Sequence, residues 1–136
     1  MNNNEFDIPK KIKSLSQDLL WMSESDYPFD TFTWSNQELE EVNIQNILQK
    51  THHSLDAPVK VIDVEKFFQR ATDEKDWYDS EEMETAKKYQ ALVETLKQNL
   101  DNIQVYKVGK VEIDVYIVGQ LQSGDWVGLS TKAVES

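Results

Sequence analysis

The sequence predicts an α+β fold, an antiparallel sheet of about four strands packed with helices. Three observations predict it. Apolar residues recur at three- and four-residue steps through the earlier part of the chain. They switch to alternation near the C-terminal end, and turn residues break that alternating stretch at hairpin spacing.

The first helix is expected over residues 7–21. Asp7 caps it, and Pro9 falls in the first turn, where a missing N–H does no harm. Ile8, Ile12, Leu15 and Leu19 share one face, with Lys10, Lys11 and Lys13 off it. The helix stops before residues 23–30, which read as a loop, because Pro28 disfavours helical backbone at Tyr27. Thr31-Phe32-Thr33-Trp34 reads as a short strand. Ser35 or Asn36 then caps a second helix over residues 38–49, whose apolar positions Leu39, Val42, Ile47 and Leu48 are sparse. Pro58-Val59-Lys60-Val61-Ile62-Asp63-Val64 is a strand by its alternation, and residues 65–71 form a helical turn carrying Phe67 and Phe68.

The third helix starts at Asp79, which stands in capping-box spacing with Glu82, with Ser80 as an alternative cap. Ala86, Tyr89, Val93, Leu96 and Leu100 make its stripe, widened by Leu92. Glu81, Glu82 and Glu84 suit its N-terminal end, and Lys97 lies nearer the other. Val105–Val108 and Val111–Val118 then form a hairpin, with Gly109 at the first position of a type II′ turn. Ser123-Gly124-Asp125 turns the chain into a last strand, Trp126–Val134.

The 136 residues suit one domain over residues 1–136, with little room for a second. A formal net charge of −11 opposes unaided binding to nucleic acid or an anionic membrane and favours a basic protein partner. There is no cysteine, so the fold is expected to stand on its core alone, in keeping with a reducing compartment. The N-terminus has neither the basic nor the apolar region of an export signal, and no apolar run approaches membrane-span length. Cytoplasmic location is the expectation.

The usual catalytic patterns are missing. The four glycines fall in no phosphate loop or dinucleotide fingerprint, and no serine sits in a nucleophile elbow. His52-His53 with Asp56 is the one candidate metal or acid/base site, but adjacent residues point apart and no third ligand has suitable spacing. Carboxylates are so abundant that no single pair stands out as catalytic. An enzyme is therefore not the expectation, and no cofactor is called for.

The acidic segments are more telling. Residues 23–30 hold Glu24, Asp26 and Asp30 with Tyr27 and Phe29, and residues 73–84 hold seven acids against one base, Lys75. Trp77-Tyr78 lies between two helices in the second segment, either as a core plug or as an interface anchor. Tyr27 and Phe29 carry the same two readings, whereas Trp21, Trp34 and Trp126 adjoin regular elements and suit core or sheet packing. With Glu135-Ser136 at the end, these stretches put carboxylates where they can imitate the phosphates of a nucleic acid. That pattern points to a protein that blocks a nucleic-acid enzyme.

Over nearly its whole length the sequence resembles the nuclease A inhibitor-like family. The resemblance is carried by Leu19-Leu20-Trp21-Met22-Ser23-Glu24-Ser25-Asp26-Tyr27-Pro28-Phe29 and by Asp56-Ala57-Pro58-Val59-Lys60-Val61-Ile62-Asp63. It continues in Phe67-Phe68-Gln69-Arg70-Ala71-Thr72 with Asp76-Trp77-Tyr78, in Gln104-Val105-Tyr106-Lys107-Val108-Gly109, in Val111-Glu112-Ile113-Asp114-Val115-Tyr116 and in Ser130-Thr131-Lys132.

The resemblance implies a small α/β/α sandwich that inhibits a sugar-non-specific endonuclease of the ββα-metal type by occluding its active site. By resemblance, Glu24 matches the acidic residue that meets arginines of the nuclease cleft, and Trp77 matches the interface tryptophan. Ser136, with the terminal carboxylate, matches the group that reaches the catalytic Mg²⁺ of the target. Asp26, Asp76 and Glu135 are further contacts through charge. Two departures stand out: Ser136 replaces a threonine, keeping a hydroxyl, and Lys75 stands where a neutral polar residue is expected, which bears on partner identity. The expected complex is one-to-one, with a monomer when free. The rivals from other classes are an acidic adaptor for another basic protein and a small hydrolase using carboxylates or His53.

Overall fold

The alternation near the C-terminal end builds the centre of the molecule. The computed structural model describes residues 7–135. Residues 1–6, on which the reading of the N-terminus falls, and Ser136 lie outside the described residues. The elements in chain order are α1 (Asp7–Ser16), β1 (Leu20–Met22), β2 (Asp26–Pro28), β3 (Asp30–Trp34), α2 (Ile44–Lys50), β4 (Val59–Ile62), α3 (Val64–Thr72), α4 (Ser80–Asn99), β5 (Asp101–Val108), β6 (Glu112–Gln120) and β7 (Trp126–Val134).

Five strands make one sheet in the order β3-β7-β6-β5-β4, every neighbouring pair antiparallel. The register pairs Val105 with Ile117 and Ile117 with Leu129, so these side chains share one face. Ile12 of α1, Phe68 of α3 and Leu92 and Leu96 of α4 are buried in the same cluster. Residues one step along point the other way, and Tyr106, Val118 and Trp126 pack there with Ile47 of α2. The result is the α/β/α sandwich expected for an α+β chain. Phe68 is fully buried, and truncating such a ring to alanine costs about 3–5 kcal/mol.

The start of α4 follows its sequence signals. Asp79 Oδ1 accepts from the Glu82 N–H at 2.8 Å, and Glu82 Oε1 accepts from the Asp79 N–H at 3.1 Å, which closes the capping box.

Several boundaries differ from the sequence reading, each for a local reason. The first helix stops at Ser16, because Leu20-Trp21-Met22 is a strand paired with Asp26-Tyr27-Pro28. Residues 23–30 are thus mostly a hairpin and not a loop. The second helix begins at Ile44, capped by Asn43, whose Oδ1 accepts from the Asn46 N–H at 2.8 Å. Ser35 instead opens a turn closed by Glu38, whose Oε1 accepts from the Ser35 N–H at 3.1 Å. Leu39 and Val42 still pack on the second core, from non-helical backbone. Strand β4 ends early because Asp63 caps α3, accepting from the Glu65 and Lys66 N–H groups. The β5–β6 connection is wider than a two-residue II′ turn: Val108 pairs with Asp114, and Gly109 takes φ 116°, where a side chain would meet the Glu112 carbonyl. No helix among the described residues is long and apolar enough to cross a membrane.

Candidate partner-binding groove

An isolated two-stranded hairpin is marginal in water, so the β1–β2 hairpin must be held by what it touches. Alternation turns Trp21 inward between exposed Leu20 and Met22. The Trp21 ring stacks on Phe67 of α3 at 4.3 Å and meets Phe68, Phe29 and Tyr89 edge-on. The Tyr89 hydroxyl of α4 donates to the Leu20 carbonyl at 2.5 Å. Burial pushes the Tyr89 hydroxyl pKa up, and the Asp26 carboxylate raises it further. On the other side, the Thr131 hydroxyl of β7 donates to the Pro28 carbonyl at 2.8 Å.

Glu24 sits at the tip of this hairpin. Its N–H donates to the Val134 carbonyl at 3.2 Å, and the Val134 N–H donates to the Ser23 hydroxyl at 3.0 Å. Two of the candidate contacts distant in sequence, Glu24 and Glu135, are therefore neighbours. Glu135 continues the sheet, its N–H donating to the Val111 carbonyl at 2.9 Å. Its carboxylate is held by Lys107 Nζ, at 3.1 Å and 2.8 Å to the two oxygens. Glu24 and Asp26 are exposed. Ser136 lies outside the described residues.

These groups border a groove of about 1350 Å³ that runs between the hairpin, α3, the start of α4 and the end of β7. Its walls differ in charge. Glu24, Glu81 and Glu82 come from the hairpin and α4, whereas Lys60, Lys66 and Arg70 come from β4 and α3, with Asp63 as the one acid between those two elements. Leu20, Met22 and Val61 line it as exposed apolar side chains. Exposed apolar surface beside converging charge marks an interaction site better than scattered exposure does.

The connection between α3 and α4 brings the second acidic segment to the same place. Tyr78 lines the groove. Its neighbour Trp77 is 77% exposed and meets the Tyr78 ring edge-on at 6.4 Å, so it is not a core plug. Asp76 is exposed beside it. Lys75 Nζ donates to Asp73 Oδ2 at 3.2 Å, so its charge is met within the segment. In the hairpin the aromatics behave otherwise. Phe29 is core, and Tyr27 is half-buried. The reading of Phe29 as an interface anchor is corrected by its burial against Trp21 and Tyr89.

His53 lies apart from the groove, on the face that carries α2. Its Nε2 is 3.0 Å from the Tyr116 hydroxyl and 3.1 Å from Asp114 Oδ2. His52 is exposed with φ 62°, and Asp56 is exposed in a turn. Among the described residues no three His, Cys, Asp or Glu side chains converge to hold a metal ion.

The sequence reading missed Met22, Ser23, Lys107 and the basic wall. Met22 was within reach: alternation around Trp21 puts Leu20 and Met22 on the outer face once the segment is read as a strand. Ser23 and Lys107 gain their roles from strand register, which local pattern does not carry.

The sequence pattern described as nuclease A inhibitor-like protein matches residues 6–136. No curated protein matches the chain.

Proposed function

The chain belongs to the nuclease A inhibitor-like family, and from that premise we propose that it inhibits a sugar-non-specific DNA/RNA endonuclease of the ββα-metal type, with no chemistry of its own. The observation that supports this most is the pair of hydrogen bonds joining the Ser23-Glu24 tip to Val134. It sets an exposed carboxylate and the end of β7 on one small surface that a single basic cleft can take in.

In this reading the Glu24 carboxylate enters the cleft and accepts short, charge-assisted bonds from arginine guanidinium groups. Trp77 covers the rim and excludes water around that pair. Asp26 and Asp76 add attractive potential, which speeds encounter with a cationic surface. A carboxylate at Ser136 would offer hard oxygen to the target's Mg²⁺ in place of a substrate phosphate oxygen or water. Substrate is then shut out by occupation of its own site.

Titrating a purified nuclease of this class tests the proposal. Residual activity is expected to fall linearly to a stoichiometric end point, with co-elution on size exclusion as a one-to-one complex. Undiminished activity with excess protein would move the chain to the rival role of an acidic adaptor for another basic partner. Extending the chain beyond Ser136 by a short tag tests the metal contact separately: unchanged inhibition would remove it.

A further inference from the structure

We propose that Lys107 is a positioning residue that clamps the end of β7 against the hairpin, and that Glu135 acts through this clamp and not as a charge offered to the partner. The proposal rests on the groove being the inhibitory surface. Lys107 points from β5 into a side-chain environment only 15% exposed, and its Nζ reaches both Glu135 oxygens. Holding two oxygens at once fixes the carboxylate better than a single contact does. Val134 is meanwhile gripped from the hairpin by the Ser23 hydroxyl and the Glu24 N–H, and Glu135 from the β5–β6 connection by the Val111 carbonyl.

Residues 134–135 are thus tied to two stretches far apart in sequence, the hairpin tip at 23–24 and the β5–β6 arm, the latter through both Lys107 and Val111. Cutting any one tie frees the others to fray, since each bond is near the surface and weak alone. The same ties hold the Glu24 backbone, so the clamp sets where the Glu24 carboxylate stands. A contact group placed in advance avoids the ordering cost that a mobile one meets on binding.

The clamp and a direct contact predict opposite signs. If Glu135 touched the partner, Lys107→Met would release a carboxylate and add net negative charge, so binding would tighten. The clamp predicts that Lys107→Met binds more weakly, with dissociation about tenfold faster. It also predicts that Lys107→Arg restores the wild-type rate and that Glu135→Gln resembles Lys107→Met.

A second measurement needs no partner. Amide hydrogen exchange in the free protein is expected to speed up at Glu24 and Glu135 in Lys107→Met, while Val115 and Ile117 stay protected. Wild-type exchange at Glu24 and Glu135 in Lys107→Met, or tighter binding by that variant, would overturn the clamp. If no nuclease is inhibited by the wild-type chain, the functional reading fails, and the exchange experiment still decides the clamp.

Discussion

Residues 23–30 and 73–84 are both acidic stretches interrupted by aromatics, yet they place those aromatics in opposite ways. The first is a hairpin with a neighbour on each side. Phe29 joins the core and Tyr27 is half-buried, so carboxylates are left outside while rings hold the element down. The second begins as a connection between α3 and α4 that is pinned at its ends, by Gln90 to Thr72 and Glu74 and by the capping box at Asp79. Trp77, between these two ends, stands 77% exposed. The lesson is that an acidic segment with aromatics has two designs, one where the ring serves the fold and one where it is offered outward. Together they give a surface with a rigid acidic part and an aromatic part that is held only locally.

The largest expected effect separates the two designs by stability. Phe29→Ala removes a core ring and should destabilise the protein by about 3–5 kcal/mol. Trp77→Ala removes an exposed one and should stay within about 0.5 kcal/mol in denaturant unfolding. Equal losses would erase the contrast.

Binding to the nuclease should show the reverse order. Glu24→Gln keeps the shape but not the charge, and in the proposed mode would leave a partner guanidinium unpaired in a desolvated cleft. Its dissociation constant should rise about a hundredfold, with the association rate losing part of its salt dependence. Trp77→Ala should raise it by about thirtyfold, chiefly through faster dissociation. Phe29→Ala, measured where it is still folded, should affect binding only through disturbance of the hairpin.

The smallest effect concerns the hairpin's anchorage. The Tyr89 pKa is raised in the folded state, first by burial and then by Asp26. A raised acid of this kind contributes stability fully below its unfolded value, about pH 10 for tyrosine, and loses it as pH climbs through the folded value. Wild-type stability should therefore decline above about pH 10. Tyr89→Phe should decline less steeply there, while being less stable at neutral pH for want of the bond to the Leu20 carbonyl.

Much of this was open to sequence reasoning where the cause is local. The capping box at Asp79 and Glu82, the stripe of α4 and the alternation of Ile113, Val115 and Ile117 in β6 depend on residues within a turn or a strand of one another, and they stand as read, whereas Val111, read into the same strand, falls before β6 and is exposed. The end of the first helix was not legible. Leu19 continues the helical stripe, and Trp21 belongs to a strand only because Phe67 and Tyr89, distant in sequence, await its ring. Glu24 and Trp77 were singled out through the family resemblance and the local charge. That Glu24 lies against Val134 follows from how the hairpin and β7 dock together, and the hold of Lys107 on Glu135 depends on the same long-range geometry.

Hydrogen exchange of the complex tests the central claim most directly. With a nuclease of this class bound, amides at residues 20–27, 76–78 and 134–135 should gain protection together, as one footprint around the groove. Protection that falls instead on α2, Phe32 and Trp34, on the opposite face of the sheet, would contradict it.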